Sequence, residues 1–358
     1  MGYCLNRESL DKSQVRILII KLGSIGDVVH TLPALVSLRK KFASAEIFWA
    51  VEEKSFPILE DNPLLDWIIP IRKSNVSELF DSIRLLRSVK PDVAIDFQGL
   101  LKSALLAKLS GARRRIGFCS EALREPFSRW FLNEQVKIPD GKIHVIEKNL
   151  FLVANSLEIN YSFPEKLSFP IFAREQHREE AEIIARNVDG EFAILNPAGG
   201  WATKLWNAEN FGYLADMIWE KFGISSVVTG TPAESELVER VLKSSKSGKL
   251  IKAYPSLKGF YELAKMARIY VGGDTGPTHI AVAAGAPIVG IFGPTEWWRN
   301  GSPYPEDICV ERTDISCRAD CHRRFCHNWI CMNISVETVF NAVERRLSGI
   351  CLEKSVVL

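Results

Sequence analysis

The stretch KLGSIGDVVHTLPAL, residues 21–35, follows the apolar run VRILII, residues 15–20, and predicts the fold of the first half of the chain. The apolar run has the length and composition of a buried strand, and Leu32 and Leu35 lie on one face of a predicted helix. Between them is a loop with two glycines and one carboxylate, Asp27. Such strand-to-helix junctions bind ligands in doubly wound α/β proteins. Asp27 is therefore either a helix cap or a functional group.

The same alternation of strand and helix continues along the chain. Short apolar runs separated by amphipathic helices indicate parallel sheets that are covered on both faces. The runs are VRILIIK, AEIFWAV, DWIIPI and PDVAIDF in the first half, and EFAILN, SSVVT, KLIKAY, ARIYVGG and APIVGIF in the second. The pattern lapses in EINYSFPEKLSFPI, residues 158–171, which predicts a linker. We therefore predict an α/β fold with two Rossmann-like domains, residues 1–168 and 169–334, followed by a terminal helix at 335–358.

Composition limits the classes of function. The 358 residues, 47% of them hydrophobic, can form two cores. Forty-five Lys and Arg against 43 Asp and Glu give a net charge of +2, which disfavours a nucleic-acid binder. The polar N-terminus MGYCLNRESLDKSQ lacks the apolar core of a signal peptide, and no long uninterrupted apolar segment follows. These features predict a cytoplasmic protein, with attachment to a membrane surface left open.

Three loops of the second half carry candidate groups for binding a nucleotide. In GGDTGPTHIA, residues 272–281, Asp274 and Thr275 can cap a helix whose exposed amides suit an anion; an ordinary capped helix is the alternative. In NPAGGWATKLW, Lys204 follows a glycine loop and suits a pyrophosphate, or is simply solvated. In TGTPAESE, Glu234 is either a ribose contact or an acid that complements a helix dipole.

The first half carries polar groups at one predicted sheet edge and a basic, aromatic stretch. Asp96 and Gln98 follow a strand, at the same edge as Asp27. The stretch ARRRIGFCSEALREPFSRWF, residues 112–131, suits an anionic acceptor or a lipid headgroup layer. It reads equally well as a solvated arginine face whose aromatic residues are in the core.

Taken together, KLGSIGDVVHTLPAL, DFQGLLKSA, LREP, the W-A-T-K-x-W run and GGDTGPTHIA resemble the ordered motifs of the ADP-heptose:lipopolysaccharide heptosyltransferases, glycosyltransferase family 9. The resemblance covers about residues 15–294, and AVEE at 50–53 is most similar to the heptosyltransferase I branch. It implies the GT-B architecture, with the acceptor on the first domain, the nucleotide sugar on the second and a C-terminal helix that crosses back. It also implies inverting transfer from ADP-heptose to the Kdo of lipid A at the inner face of the cytoplasmic membrane, with no cofactor and no catalytic metal.

The resemblance also implies roles for individual residues. Asp27 matches the general base, Lys204 a phosphate ligand and Glu234 a ribose contact. The other predicted donor contacts are Thr203, Asp274, Thr275, Gly276, Thr278 and His279, and the predicted acceptor contacts are Gly26, Arg72, Asp96, Gln98 and Arg124. Two alternatives keep the fold: another donor or acceptor sugar, or a non-catalytic protein that binds nucleotide sugars. A nicotinamide oxidoreductase is disfavoured because the first strand lacks a G-x-G-x-x-G loop.

A cysteine-rich segment, CRADCHRRFCHNWICMNIS, departs from the heptosyltransferase I pattern. Its cysteines, Cys317, Cys321, Cys326 and Cys331, follow one another at intervals of 4, 5 and 5 residues. Structural zinc sites prefer tighter pairs, so the sequence favours free packed thiols over a structural metal or disulfides.

Overall fold

The computed structural model describes residues 15–123, 125–159, 163, 166–318, 321 and 323–356. The chain divides into two compact units. The first runs to Pro170 except for Lys142–Val145, and the second comprises that tetrapeptide and the chain from Ile171 onward.

The first unit is built on a six-stranded parallel sheet with the order β3-β2-β1-β4-β5-β6. Its strands are β1 (Arg16–Ile20), β2 (Glu46–Glu52), β3 (Trp67–Ile71), β4 (Val93–Asp96), β5 (Arg114–Phe118) and β6 (Glu134–Val136). Its helices are α1 (Ile25–Val29), α2 (Leu32–Lys41), α3 (Phe56–Leu59), α4 (Val76–Ser88), α5 (Leu101–Leu109) and α6 (Val145–Leu157). Strand β1 is central because Ile17 pairs with Ile47 on one side and with Val93 on the other.

The second unit repeats this topology. Its strand order, β12-β11-β10-β7-β8-β9, is the same order counted from its own first strand, and all its strand pairs are parallel. The strands are β7 (Phe192–Asn196), β8 (Ser225–Thr229), β9 (Leu250–Ala253), β10 (Ile269–Gly273), β11 (Ile288–Phe292) and β12 (Ile308–Glu311). The helices are α7 (Glu175–Arg186), α8 (Ala208–Phe222), α9 (Ser235–Ser244), α10 (Leu257–Met266), α11 (Gly276–Ala284), α12 (Trp297–Asn300) and α13 (Val336–Val356).

Local sequence signals explain where the second unit's helices begin and end. The Asn207 side chain caps α8 by accepting from the Glu209 amide, and the helix ends at Gly223, whose φ of +65° suits glycine. Helix α11 ends in the same way at Gly285, with a φ of +80°. Helix α13 packs against α8, β11 and β12 of its own unit; its predicted crossing to the first domain stays a prediction.

The predicted α/β class with two Rossmann-like sheets is confirmed, but three strands were not predicted. One of them, β5, contains two arginines that the sequence analysis placed on a basic surface. Arg114 instead forms a bidentate pair with Glu134, at 2.6 and 2.8 Å, and the Arg115 guanidinium donates to backbone carbonyls of Phe131 and Ala112. These two cations therefore hold the edge of the sheet together. None of the helices in the described part of the chain combines the length and apolar composition needed to span a bilayer.

The topology fixes where loops meet. In each sheet the strand order reverses between two neighbouring strands, β1 and β4 in the first unit and β7 and β10 in the second. Ligands of doubly wound folds bind beyond the carboxyl ends of the strands at this switch point. Asp27 follows β1 and Asp96 is the last residue of β4, and Lys204 and Asp274 follow β7 and β10.

Candidate functional site

Asp27 lies beside a buried lysine in the first unit. The Lys21 ammonium, 3% exposed, is 3.3 Å from Asp27 Oδ1 and donates to the Phe97 carbonyl at 3.0 Å. The other carboxylate oxygen of Asp27 accepts from the amide and hydroxyl of Ser24, at 2.9 and 3.2 Å. Asp27 thus caps the short helix α1, and 37% of its side chain still remains exposed. The two interpretations of Asp27, cap and functional group, are compatible in this geometry.

The surroundings of Asp27 keep it ionised. Burial raises the pKa of Asp27, but the Lys21 ammonium and the hydrogen bonds from Ser24 outweigh it, so the pKa lies below its ordinary value. Asp27 is therefore a carboxylate at neutral pH, which is the form that a general base requires.

Asp96 organises the loop after β4. It has no exposed surface; Oδ1 accepts from the Gln98 and Gly99 amides at 2.9 and 3.2 Å, and Oδ2 accepts from the Ser103 hydroxyl at 3.0 Å. Burial raises the pKa of Asp96 to about 6 against these hydrogen bonds. In this arrangement an acceptor cannot reach Asp96, so the structure supports a positioning role in place of the predicted contact.

Gln98 connects the two switch-point loops of the first unit. Its Oε1 accepts from the amides of Leu22, at 3.2 Å, and Gly23, at 3.5 Å, both in the loop that leads to Asp27. Of the other predicted acceptor contacts, Gly26 is buried within α1, and Arg72 pairs with Glu53 at 2.7 Å. Arg124 lies outside the described residues.

A cluster of cations that sequence reasoning missed surrounds Glu52 at the end of β2. Glu52 is 8% exposed, and its Oε1 accepts from the Lys73 and Lys102 ammonium groups at 2.6 and 3.0 Å. Lys54 Nζ lies 3.7 Å from the other oxygen. Burial raises the pKa of Glu52, but the lysines outweigh it and hold that pKa below its usual value. Three lysines around one carboxylate leave this region with net positive charge, which suits an anion.

Lys204 and Asp274 form the central contact at the switch point of the second unit. Lys204 Nζ donates to Asp274 Oδ2 at 2.6 Å and to the Asp274 carbonyl at 3.1 Å, and both side chains are largely buried. Thr295 and Asn300 also donate to Oδ2, at 2.7 and 3.1 Å, and His279 Nε2 lies 3.2 Å from Oδ1. Burial raises the pKa of Asp274, but His279 and Lys204 hold it well below its usual range. Asp274 is therefore a permanent anion that fixes the position of the Lys204 ammonium.

Backbone packing brings the Lys204 loop against the start of α11. A Cβ at Gly199 would lie 3.3 Å from Thr275 Cγ2, and one at Gly273 would lie 3.2 Å from the Lys204 carbonyl oxygen. The ammonium also lies 4.4 Å from the centre of the Trp201 ring. Thr275 occupies the N-cap position of α11 without a side-chain cap hydrogen bond, and Gly276 is the first residue of the helix, so the N-terminus of α11 adjoins the Lys204 loop. An ammonium and helix amides together suit a phosphate group.

The remaining predicted donor contacts have structural partners. Thr203 is buried and donates to the Arg323 carbonyl at 2.7 Å. Thr278 is buried, donates to the Gly273 carbonyl and lies 2.9 Å from the Tyr270 hydroxyl. Glu234 Oε2 accepts from the Thr231 amide and hydroxyl, at 2.8 and 2.9 Å. These contacts match the helix-cap interpretation of Glu234; its contact with ribose stays a prediction.

The cysteine-rich segment packs against the Lys204 loop. Trp329 Nε1 donates to the Thr203 carbonyl at 2.9 Å, and the Arg324 guanidinium lies 5.1 Å from the centre of the Trp201 ring. The four cysteines of the segment, Cys317, Cys321, Cys326 and Cys331, line one pocket beside Thr203 and are free thiols. Within the described residues, no three His, Cys, Asp or Glu side chains are grouped so that they could hold a metal ion. The segment thus supports the loop that carries Lys204, a role that its sequence did not indicate.

Comparison with known proteins relates this chain to one family of enzymes. A sequence model described as "Glycosyltransferase family 9 (heptosyltransferase)" matches residues 80–328, more than half of the chain. Lipopolysaccharide heptosyltransferase 1 of Pseudomonas aeruginosa is 28% identical over 319 residues, which are 84% of this chain and 87% of that protein. The predicted resemblance to the heptosyltransferase I branch is confirmed.

Solved structures give the same result for the fold. The E. coli heptosyltransferase WaaC with ADP is 26% identical, with a TM-score of 0.70 and coverage of 96% of this chain and all of that one. The glycosyl transferase family 9 protein of Veillonella parvula has a TM-score of 0.78 at 23% identity, with coverage of 94% and 97%. The predicted GT-B fold class is confirmed.

Asp96→Asn is expected to change how stability depends on pH. Because burial raises the pKa of Asp96 to about 6 from 3.8, the folded state binds more protons than the unfolded state between these values. The stability of the wild type therefore falls as pH rises through this window. The asparagine variant has no ionisable group at this position, so its stability lacks this pH dependence. In urea unfolding, the variant's stability relative to wild type should rise by about 1–3 kcal/mol between pH 4 and pH 7. The exposed Asp140→Asn serves as control, and a pH-independent difference for Asp96→Asn would refute the burial argument.

Proposed function

The chain belongs to glycosyltransferase family 9, and from that premise we propose that it transfers heptose from ADP-heptose to the Kdo inner core of lipopolysaccharide, with inversion at the anomeric carbon. The observation that carries the proposal is the Lys204–Asp274 pair at the N-terminus of α11. It gives the second unit a fixed cation next to helix amides, as an ADP-sugar requires. The relatives named lipopolysaccharide heptosyltransferase 1, similar over most of their length, support the choice of sugar and acceptor class.

On the donor side, Lys204 and the first amides of α11 would bind the two phosphates of ADP. An ammonium has three N–H donors, and Asp274 accepts two of those of Lys204, which leaves one for a phosphate oxygen. As the bond from the anomeric carbon to the phosphate oxygen breaks, negative charge develops on ADP. A cation and amides that are already in position stabilise this charge without reorganisation.

On the acceptor side, Asp27 would act as general base. It removes the proton of the acceptor hydroxyl, whose oxygen forms the new bond to the anomeric carbon while ADP departs from the opposite face. This order of events inverts the anomeric configuration. The ionised state of Asp27 and its partly exposed side chain support the assignment.

The cations around Glu52 would bind the anionic acceptor. The ammonium groups of Lys54, Lys73 and Lys102 would pair with the carboxylates of Kdo and the phosphates of lipid A. Arg72, which directly follows the neighbouring strand β3, would add a further cation. Because that acceptor is a lipid, we also propose that the enzyme works in the cytoplasm at the inner face of the cytoplasmic membrane. A later heptose of the core, or a related envelope glycan, is the alternative acceptor.

The direct test of this function is product formation. Incubation of the purified protein with ADP-heptose and Kdo-lipid A in excess EDTA should yield a product that is heavier by one heptosyl residue in mass spectrometry. Activity in EDTA is expected because Lys204 and the amides of α11 stabilise the leaving group in place of a divalent ion. Product that appears only when magnesium or manganese is added would refute the roles given to Lys204 and α11, and no product under any condition would refute the function.

Asp27→Asn should lower turnover by about 10²- to 10⁴-fold, the usual contribution of a general base. Asparagine keeps an oxygen for the Ser24 hydrogen bonds but loses the charge that faces Lys21, so some loss of stability is expected, while the dissociation constant for ADP, which binds the second unit, should stay near wild type. Steady-state kinetics and calorimetry with ADP check the two halves of this expectation. Asp81→Asn, on an exposed helix of the same unit, is the control. If Asp27→Asn turns over like wild type, Asp27 is only a cap.

A further inference from the structure

Helix α5 carries apolar residues on its outer side as well as on its buried side. Ala104 and Ala107 are buried against one face of the first sheet, together with Leu18 and Ile20 of β1. The opposite side of the helix carries Leu101 and Leu105, one turn apart, which are 43% and 39% exposed. An ordinary surface helix is polar on its outer side. The outward leucines of α5 are therefore not explained by the packing of the first unit.

Two exposed aromatic rings lie beside this helix on the 3-10 segment Pro126–Phe131. Phe127 and Trp130 are 64% and 67% exposed, and their ring centroids are 5.1 Å apart in an edge-to-face arrangement. The segment packs against α5, and the Leu101 amide donates to Glu125 Oε2 at 2.7 Å. We call the set of exposed apolar side chains on these two elements the aromatic face; its members are Leu101, Leu105, Phe127 and Trp130.

Helix α4 extends this apolar surface. Its inward residue Leu86 belongs to the same core cluster as Ala104 of α5, so both helices cover the same face of the sheet. Its outer residues Val76, Leu79 and Phe80 are exposed. Scattered apolar residues on a surface are ordinary, but several of them on adjoining elements mark an interaction site.

The charge around the aromatic face is positive. Residues 101–109 and 125–131, which carry the face, contain three cations, Lys102, Lys108 and Arg129, against the one acid Glu125. Lys108 and Arg129 are exposed on the two elements that carry the face. The carboxylate of Glu125 accepts from the Leu101 amide and so faces α5. Exposed aromatic and leucine side chains among cations are the composition of surfaces that enter the headgroup region of anionic bilayers.

We propose that the aromatic face docks on a bilayer surface that contains anionic lipids; this rests on the proposed function, in which the acceptor is a lipid. The rings of Phe127 and Trp130 enter the boundary between headgroups and acyl chains, where tryptophan is favoured. Lys108 and Arg129 pair with lipid phosphates. The positive charge favours this occupant over a second copy of the chain, because two basic faces brought together would repel each other.

The test is flotation with vesicles, using the full-length protein and two lipid compositions, phosphatidylcholine alone and phosphatidylcholine mixed with phosphatidylglycerol. Wild-type protein should float with the mixed vesicles, and more weakly at high salt. Phe127→Ser/Trp130→Ser should lower the partition coefficient by roughly tenfold or more, and Lys108→Gln/Arg129→Gln by a smaller factor that disappears at high salt. The matched control is Ile183→Ser/Tyr213→Ser, which removes two exposed apolar residues, 61% and 47% exposed, from the second unit.

Measurements of activity with two acceptors distinguish a defect in membrane docking from a defect in catalysis. The aromatic variant should transfer heptose to an acceptor fragment without acyl chains at the wild-type rate, and more slowly to acceptor embedded in mixed vesicles. Thermal unfolding followed by circular dichroism verifies that the variant is folded. If wild-type protein transfers to neither acceptor, the proposed function fails, while flotation still tests the face.

Three results would overturn the docking proposal. The first is wild-type protein that does not float with anionic vesicles, and the second is an aromatic variant that floats as well as wild type. The third is a concentration-dependent dimer, seen by light scattering, that the aromatic variant abolishes, because the face would then bind a second copy.

Discussion

The ion pair between Lys204 and Asp274 is the contact on which the switch point of the second unit depends. Asp274 accepts from Lys204, Thr295 and Asn300 on a single oxygen, and its other oxygen lies next to His279. These partners belong to the loops after β7 and β11, to the first turn of α11 and to the last residue of α12. A buried carboxylate with so many donors is ionised and immobile. The ammonium that it holds is therefore fixed beside the first amides of α11 before any anion arrives, which is the preorganisation that stabilises developing charge.

The first unit uses the same topology for a different purpose. At its switch point the buried cation is Lys21, and the carboxylate with which it pairs, Asp27, remains partly exposed. In the second unit it is the carboxylate that is the more deeply buried partner, with side-chain exposures of 5% for Asp274 and 14% for Lys204. The same strand order thus presents a negative group in one unit and a positive group in the other. A transfer reaction needs both, a base for the acceptor hydroxyl and a cation for the departing phosphate.

The strands and site residues that depend on local sequence pattern were predicted, whereas those that depend on contacts between residues far apart in the sequence were missed. The apolar runs predicted most strands and the capped glycine loops predicted the switch-point residues, because these signals lie within a few neighbouring positions. Strand β5 was missed because its two arginines are typical of an exposed surface. The pairing of Arg114 with Glu134 on the neighbouring strand explains why an arginine is placed there. The lysines around Glu52 come from three separate segments. Trp329 donates a hydrogen bond to Thr203, the residue before Lys204, although 126 positions of sequence separate Trp329 from Thr203. No pattern within a short window carries such contacts.

Calorimetric titration with ADP shows whether the Lys204–Asp274 contact is the phosphate site of a nucleotide-sugar enzyme. ADP should bind the wild type, and Lys204→Ala should weaken binding by about 1.5–3 kcal/mol, the usual size of a charge-assisted hydrogen bond. Lys249→Ala is the matched control, because Lys249 also pairs with a carboxylate and contacts a tryptophan ring in the same unit. It should bind ADP like wild type. Equal ADP affinity in the wild type and in Lys204→Ala would show that Lys204 is not a phosphate ligand.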